Sequence, residues 1–371
     1  MVRVMRPRSR PRLLSLLVLV LACQSPQVDT SPFTTTQPMT SAFGSSSGGD
    51  TSSSSSDSGS GSHAGTTLAE LSTSTSEVST STDATTLVLD VGSDQDVGPL
   101  QPVGCKGKID FLFVISRYNG MKYFQDQLLA AFPAFIDTIE SKFVDFDYHI
   151  MVVDGDDYWG SKGCDAKCPV LCAPGYPCGY KPAFCDAGLG VGVVFPAGME
   201  AANKVCPIDG GRNYMVTGQT DLKATFSCVA QLGLNGAARI GEVTSIVVQP
   251  WMNDRGSCNE GFLRKDALLM VTLVSNTYDE VGGIVTSQEG TPETWRDAVR
   301  DAKHGDLESV VALGIIPNEG PGCAKKDRLC QFLELFPYSL NADLWADDYA
   351  AAFDQATDLV EEACAGFVPP G

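Results

Sequence analysis

Histidine, basic residues and long hydrophobic runs are all scarce in this chain. Its 371 residues include 3 histidines, and none of His63, His149 and His304 is spaced to pair with a Ser or Cys nucleophile or with zinc-binding cysteines. Lys and Arg number 26 against 45 Asp and Glu, a formal charge of −19 that argues against binding to nucleic acid or anionic membranes. We therefore expect a protein that is not an enzyme, holds no cofactor and has no nucleic-acid partner.

The first residues resemble a bacterial lipoprotein signal peptide. Arginines between residues 3 and 12 precede an apolar run at 13–22, which is shorter than the ~20 residues that a spanning helix needs. The run ends in Val-Leu-Ala before Cys23, which is similar to a lipobox, although leucine and a small residue are more usual at its first two positions. We predict a signal peptide over residues 1–22 and a lipid on Cys23 that anchors the exported protein in the outer membrane or at the cell surface. The alternative is an ordinary signal peptide with a coincidental cysteine.

Residues 23–103 are rich in Ser, Thr and Gly and poor in apolar side chains. Such a segment cannot bury enough apolar surface to offset the entropy of ordering, so we predict a disordered stalk. Coil dimensions of about 5–6 Å times the square root of the residue number give this stalk a reach of roughly 50 Å. The remaining residues, 104–371, suffice for one α/β domain with insertions.

Cysteine is abundant, with 13 residues in the chain. If Cys23 carries the lipid, an even number remains, and in an exported chain this predicts disulfides. The stretch 164–185 is dense in cysteine and predicts a disulfide knot; the alternative is a metal knuckle, whose usual spacings and histidines are missing. Cys323 and Cys330 are close enough for a local loop, while Cys105 and Cys364 flank the domain and could tie its ends together. The expected disulfide-forming residues are Cys105, Cys164, Cys168, Cys172, Cys178, Cys185, Cys206, Cys228, Cys258, Cys323, Cys330 and Cys364.

Strand and helix patterns alternate along the domain, which favours an α/β fold with a doubly wound, mostly parallel sheet. Some strand-length runs are apolar without alternation, as in strands buried on both faces. Pro133 should kink or divide the first helix, whose apolar face runs from residue 121 to 139. A Cys-rich insertion of about residues 159–209 follows the second strand. Strands are expected at 109–115, 148–153, 213–217, 266–275 and 310–316, and further helices at 222–232, 239–249, 291–304 and 349–364.

The stretch 108–121, Lys-Ile-Asp-Phe-Leu-Phe-Val-Ile-Ser-Arg-Tyr-Asn-Gly-Met, resembles the first strand and metal loop of von Willebrand factor A domains. The resemblance is to those of bacterial, myxobacterial-type surface lipoproteins, and it extends to 226–236, 258–269 and 348–364 in the same order. It implies a Rossmann-like fold with ligands at the carboxyl ends of the strands. It also implies a divalent-cation site built from three loops.

The loops that the resemblance assigns to the cation depart from the family's pattern. The family's first loop reads Asp-x-Ser-x-Ser, whereas this chain has Ser116, Tyr118 and Gly120 at those positions. Loop 232–241 contains neither the expected Thr nor a Ser, and Asn276 stands where an Asp is expected. Since a hard dication prefers several anionic or carbonyl oxygens, we predict no metal at this degenerate site.

Two groups of acidic residues leave a bound cation as an alternative. Asp279 and Glu280 would substitute for the missing ligands only if their loop folded back. Asp154, Asp156 and Asp157 follow the second strand and are expected to form a solvated turn, with a calcium-stabilised loop beside the insertion as the alternative.

The turn after the first strand is the expected place for a partner. Arg117 and Tyr118 offer a cation and an aromatic anchor of the kind enriched at interfaces, with the alternative that they are ordinary exposed loop residues. We predict a membrane-anchored extracytoplasmic lipoprotein whose metal-free domain binds an unknown protein or a surface polymer. The alternatives are a structural or vestigial envelope domain without a specific ligand and, last, a cation-dependent adhesion domain or an enzyme. The candidate ligand rim consists of Ser116, Arg117, Tyr118, Asn119 and Asn276.

Overall fold

A computed structural model of the chain describes residues 105–367, apart from nine positions within that range. The signal peptide, Cys23, His63 and the stalk lie outside the described residues, so those expectations stay predictions. Within the described part, every helix is too short or too polar to cross a membrane. The nine undescribed positions are Lys106, Pro169, Leu171, Ala173, Pro174, Gly282, Ile284, Glu319 and Pro321.

The described residues build one six-stranded sheet in the order β3-β2-β1-β4-β5-β6. All neighbouring pairs are parallel except β2 and the edge strand β3, which are antiparallel. This order is that of a doubly wound α/β fold, in which ligands bind where the strand order reverses direction. The predicted fold class is therefore confirmed. The strands are β1 (Lys108–Ile115), β2 (Asp147–Asp154), β3 (Met215–Val216), β4 (Leu268–Val274), β5 (Val310–Ile316) and β6 (Tyr338–Asp343).

Helices cover both faces of the sheet because the central strands are apolar on both. In β1, Phe111 and Phe113 contribute to one core and Leu112 and Val114 to the other, as side-chain alternation along a strand requires. The first core includes α1 (Met121–Lys142), α4 (Leu222–Ala230) and α9 (Ala350–Gly366), and the second includes α5 (Ile240–Val247), α7 (Pro292–Ala302) and α8 (Arg328–Leu333). Shorter helices are α2 (Lys162–Ala166), α3 (Phe184–Ala187) and α6 (Pro250–Asn253).

The first helix is not divided at its proline, so of the two expected outcomes, a kink or a division, the division is wrong. Pro133 lies inside α1, which continues to Lys142 although an interior proline costs about 3 kcal/mol. Its neighbours Phe132 and Phe135 are fully buried, and the ring of Phe135 lies 4.6 Å from that of Phe353 in α9. We attribute the continuity to this aromatic packing, which offsets the missing hydrogen bond.

The cysteines of the described part form six disulfides. Cys105 and Cys364 join the start of β1 to α9, as the sequence suggested. The cysteine-dense stretch is not a closed knot, because Cys185 pairs outside it with Cys258. Its sulfurs are bonded in pairs, which removes the thiolates that the zinc alternative needs. The remaining pairs are Cys164–Cys172, Cys168–Cys178, Cys206–Cys228 and Cys323–Cys330.

Candidate functional site

The loops that follow β1, β2 and β4 meet at the carboxyl edge of the sheet, where the strand order reverses. The backbone N–H of Ser116 donates to the carbonyl of Val274 at 2.9 Å. Arg117 exchanges backbone hydrogen bonds with loop 235–239, donating to Ala237 at 3.3 Å and accepting from Gly236 at 3.0 Å. These bonds fix the turn after β1 in the middle of the crevice that the fold offers to ligands.

Arg117 does not belong to an exposed rim, contrary to the sequence-based expectation. Its side chain is 2% exposed, and its guanidinium donates to the carbonyls of Tyr158, Gly160 and Ala197 at 3.2, 2.5 and 3.1 Å. It also forms an ion pair of 3.3 Å with Asp154 at the end of β2. The fork-shaped donor set of arginine suits several carbonyl acceptors at once, so Arg117 binds the insertion to the sheet and is inaccessible to a partner.

The remaining residues of the turn serve its geometry. Ser116 is fully buried, and its hydroxyl accepts the backbone N–H of Tyr118 at 3.1 Å. Gln125, one turn into α1, donates to the Ser116 carbonyl at 3.1 Å. Tyr118 is half-buried against the second core. Asn119 and Gly120 are therefore the members of the turn that stay exposed.

Asn276 joins the loop after β4 to the turn after β1. Its side-chain amide donates to the carbonyl of Asn119 at 2.7 Å, while its Oδ1 is buried without a hydrogen-bond partner among the described residues. A neutral amide thus bridges the two loops, beside the buried cation Arg117. The residues present do not fit a divalent cation, because the Ser116 hydroxyl is engaged and Asn119 and Asn276 offer neutral oxygens in place of carboxylates.

The acidic residues considered as substitute ligands are engaged elsewhere. Asp279 is fully buried, and its carboxylate accepts from the N–H of Gly241 and from the N–H and hydroxyl of Ser287 at 2.9, 2.5 and 2.6 Å. Burial raises the pKa of Asp279 above its ordinary value, although these donors oppose the rise. The loop does not fold back, since Asp279 faces the start of α5 while Glu280 is exposed.

The acidic turn after β2 is held by arginines. Asp157 forms an ion pair of 2.7 Å with Arg239, which also binds Glu242 in a bidentate pair. Desolvation raises the pKa of Asp154 to about 6, and Arg117 opposes this rise. Guanidinium groups thus supply the positive charge that the calcium alternative assigned to a metal.

A buried polar cluster lies away from the crevice, at the amino ends of the strands. Its one signal in the sequence is an aspartate, Asp110, within an apolar run. Arg264 donates to Asp110 from its backbone N–H at 2.7 Å and from Nε at 2.8 Å. His149 donates from Nδ1 to the carbonyl of Phe262 at 2.9 Å and lies 3.6 Å from Asp110. The Nδ1 proton of the histidine thus goes to a carbonyl, with a carboxylate nearby, rather than to a hydroxyl or thiol nucleophile.

Two exposed aromatic rings lie together at the carboxyl edge, and the sequence-based rim omitted both. Tyr123 in the first turn of α1 is 57% exposed and Trp345 after β6 is 65% exposed. The buried ring of Phe124 lies between them, with centroids 5.4 Å from Tyr123 and 4.9 Å from Trp345. Gln127 fixes this arrangement, donating to the Tyr123 hydroxyl at 3.1 Å and to the carbonyl of Ala346 at 3.0 Å.

Carboxylates surround these two rings. The chain from Leu329 onward contains neither Lys nor Arg, so the segment that carries Trp345 contributes negative charge alone. Lys122 is the nearby base of α1, and it is paired with Asp126 at 2.5 Å. We call this surface the aromatic–acid patch; its members, all of them exposed, are Tyr123, Asp126, Asp343, Trp345, Asp347 and Asp348. The carboxylate of Asp348 accepts the backbone N–H of Ala350 at 2.9 Å.

Comparison with known proteins adds little to this geometry. No family model and no curated protein matches the chain. Among solved structures, the chain is similar to proximal thread matrix protein 1 from the mussel byssus, at 13% identity and a TM-score of 0.32. The match covers 71% of this chain and 47% of that one, so the chain spans about half the length of the protein it matches. At this similarity the fold assignment rests on the strand order described above, and no function is transferred.

Proposed function

We propose that this protein is an exported, metal-independent binding protein whose aromatic–acid patch recognises a positively charged protein segment. The observation that carries the proposal is the pair Tyr123 and Trp345, two large exposed rings that both contact the ring of Phe124. Tyr and Trp are the residues most enriched among energetic anchors at interfaces. Fixed rings lose little conformational entropy on binding, because their side chains are already ordered.

The negative charge of the patch determines which kind of partner it can bind. Asp343 and Asp347 flank Trp345 and are both exposed, and ring faces also attract ammonium and guanidinium groups. A segment that carries Lys or Arg next to an apolar side chain would complement both features. A negatively charged partner would be repelled, as expected for a protein with a net charge of −19.

The six disulfides support an extracytoplasmic location for the domain, because such bonds persist in oxidising compartments. Attachment through a lipid on Cys23, at the outer membrane or the cell surface, is the finer part of the proposal. Together with the stalk it would present the patch at a distance from the membrane. If the binding experiment fails, the alternative is a structural domain without a specific ligand.

The experiment uses the mature full-length protein and an immobilised peptide of alternating lysine and leucine. The same peptide with acetylated lysines is the matched control for charge. Wild-type protein should bind the first peptide and not the second, and Trp345→Ala should weaken binding at least about tenfold. Because this substitution leaves the net charge unchanged, the loss would separate the patch from general acidity.

Trp251→Ala is the matched control variant, since Trp251 is 56% exposed in α6, which contacts α5 on the face of the sheet opposite to α1. It should bind as wild type does. Equal affinity of wild type and Trp345→Ala for the lysine peptide, or equal binding of the acetylated peptide, would contradict the proposal.

A further inference from the structure

The Cys-rich insertion and the turn before it line an open cavity of about 510 Å³. This volume falls within the ~300–1,000 Å³ that is typical of small-molecule sites. It opens beside the loop that Arg117 binds to the sheet. The cavity and the aromatic–acid patch have no residue in common. The side chains used in the argument are Asp157, Tyr158, Trp159, Asp165, Tyr180 and Lys181.

The aromatic wall of the cavity is held in a fixed arrangement. The indole N–H of Trp159 donates to the carbonyl of Phe195 at 2.9 Å. The Trp159 ring lies 4.8 Å from the ring of Tyr180 and 5.3 Å from that of Phe195. The disulfide Cys168–Cys178 closes the loop just before Tyr180. The wall is therefore built by packing and covalent bracing before a ligand arrives.

The polar groups of the cavity are also oriented. Asp165 accepts hydrogen bonds from the hydroxyls of Tyr158 and Tyr176 at 2.6 and 2.5 Å. Asp157 is paired with Arg239 at 2.7 Å. A carboxylate offers about four acceptor positions, so both acids can accept further hydrogen bonds from a ligand. Lys181 supplies donors on the same lining.

The cavity carries charges of both signs, which bears on the class of ligand. Its lining includes the carboxylates of Asp157 and Asp165 and the ammonium of Lys181, while Arg239, which pairs with Asp157, also pairs with Glu242. A cationic ligand would meet Lys181, an anionic ligand would meet both acids, and a purely apolar ligand would desolvate all of these groups without compensation. A neutral ligand with one apolar face and hydroxyl groups along its edge would complement both the aromatic wall and the polar groups of the cavity.

We propose that this cavity binds a neutral pyranose unit of a surface polysaccharide. The C–H face of the sugar would lie on the rings of Trp159 and Tyr180, and its hydroxyls would donate to Asp165 and accept from Lys181. The sugar site does not depend on the peptide-binding function, because none of its residues belongs to the aromatic–acid patch. The insertion would thus give the protein a second recognition site on the same edge of the sheet.

The test is saturation-transfer NMR on the mature full-length protein with the methyl glycosides of glucose, galactose, mannose and N-acetylglucosamine. Glucosamine hydrochloride and glucuronate serve as the cationic and anionic comparisons. At least one neutral glycoside should receive saturation, and Tyr180→Ala should weaken its binding about tenfold. Lys181→Ala should weaken the same glycoside without unfolding the protein, since this side chain is exposed.

Phe184→Ala is the matched control, because Phe184 is an aromatic residue of the same insertion, 64% exposed, that does not line the cavity. It should leave glycoside binding unchanged. Binding of none of the neutral glycosides, a preference for the charged sugars, or undiminished binding by both Tyr180→Ala and Lys181→Ala would overturn the proposal.

Discussion

The guanidinium of Arg117 lies 3.3 Å from the carboxylate of Asp154, and this ion pair joins the carboxyl ends of the two neighbouring strands β1 and β2. The same guanidinium holds carbonyls of the insertion at Gly160 and Ala197. A cation that belongs to the chain itself thus organises the edge where ligands bind in this fold class. The organisation of this edge does not require a dissociable ion.

Arg117→Ala should destabilise the protein substantially. The substitution leaves Asp154 unpaired and three carbonyls without their donor, and breaking a buried pair typically costs about 3–5 kcal/mol. We expect a loss nearer 3 kcal/mol in the free energy of unfolding, because the Asp154 side chain is 23% exposed and partly screened. Urea unfolding would measure it. Arg117→Lys should lose less of the free energy of unfolding. Arg255→Ala, which removes an exposed arginine, should change it little. Equal stability of Arg117→Ala and wild type would refute the structural role of Arg117.

Divalent cations should not bind at the crevice. Ser116 and Asn276 present neutral oxygens, and the buried charge of Arg117 lies close by. Calorimetric titration with magnesium, manganese and calcium should show no saturable site in the sub-millimolar range, and chelation should not shift the melting temperature. A single saturable site that Asn276→Ala abolishes would show that the loops bind metal after all.

The central strands could be predicted from the sequence because burial on both faces leaves an unbroken apolar run. Leu268–Val274 and Val310–Ile316 are buried at every position, and the predicted runs enclosed both. Two of the elements that were not predicted show the limit of such patterns. Tyr338–Asp343 is an edge strand without a fully buried residue, and α8 spans six residues, too few to show a helical period.

The candidate site was harder to predict because its contacts join residues distant in sequence. The sequence places Arg117 in a polar turn, where an exposed arginine is the ordinary expectation. Its acceptors Asp154, Gly160 and Ala197 lie 37, 43 and 80 residues further along the chain. Likewise, Trp345 contacts Phe124 of α1, which lies far from it in the sequence. A local sequence pattern does not indicate contacts of this kind.

The disulfide between the ends of the domain should contribute more stability than the local one. Cys105 and Cys364 are 259 residues apart, whereas Cys323 and Cys330 are 7 apart. Loop-closure entropy predicts a loss of about 5 kcal/mol for Cys105→Ser/Cys364→Ser and about 2 kcal/mol for Cys323→Ser/Cys330→Ser. Equilibrium unfolding of the two double variants provides the comparison, in which the local pair serves as the control. A larger loss for the local pair would contradict the entropic argument.

Lipid attachment should depend on Cys23 alone among the cysteines. The twelve cysteines of the described domain are already paired in disulfides, so they offer no thiol to an acyl chain. Cells fed a clickable fatty acid should label the wild-type protein and leave Cys23→Ser unlabelled. A Cys23→Ser protein that still takes up the label would rule out this anchor.

The buried cluster at the amino ends of the strands should respond to pH in two opposite ways. Burial raises the pKa of Asp110 to about 6. Between about pH 4 and about pH 6 the folded protein therefore retains a proton on Asp110 that the unfolded chain has lost. The contribution of this group to stability falls as the pH rises through that range. Burial and Arg264 lower the pKa of His149 to about 4, so the unfolded chain takes up a proton that the folded protein does not, and stability increases with pH over nearly the same range. Each effect is on the order of 3 kcal/mol.

Single substitutions should separate these two effects. The stability advantage of wild type over Asp110→Asn should shrink between about pH 4 and about pH 6, while its advantage over His149→Gln should grow over the same interval. Comparing each variant with wild type cancels the other titrating groups, including Asp154. Urea unfolding at several pH values measures both differences, and parallel curves for wild type and both variants would mean that neither group changes its proton affinity on folding.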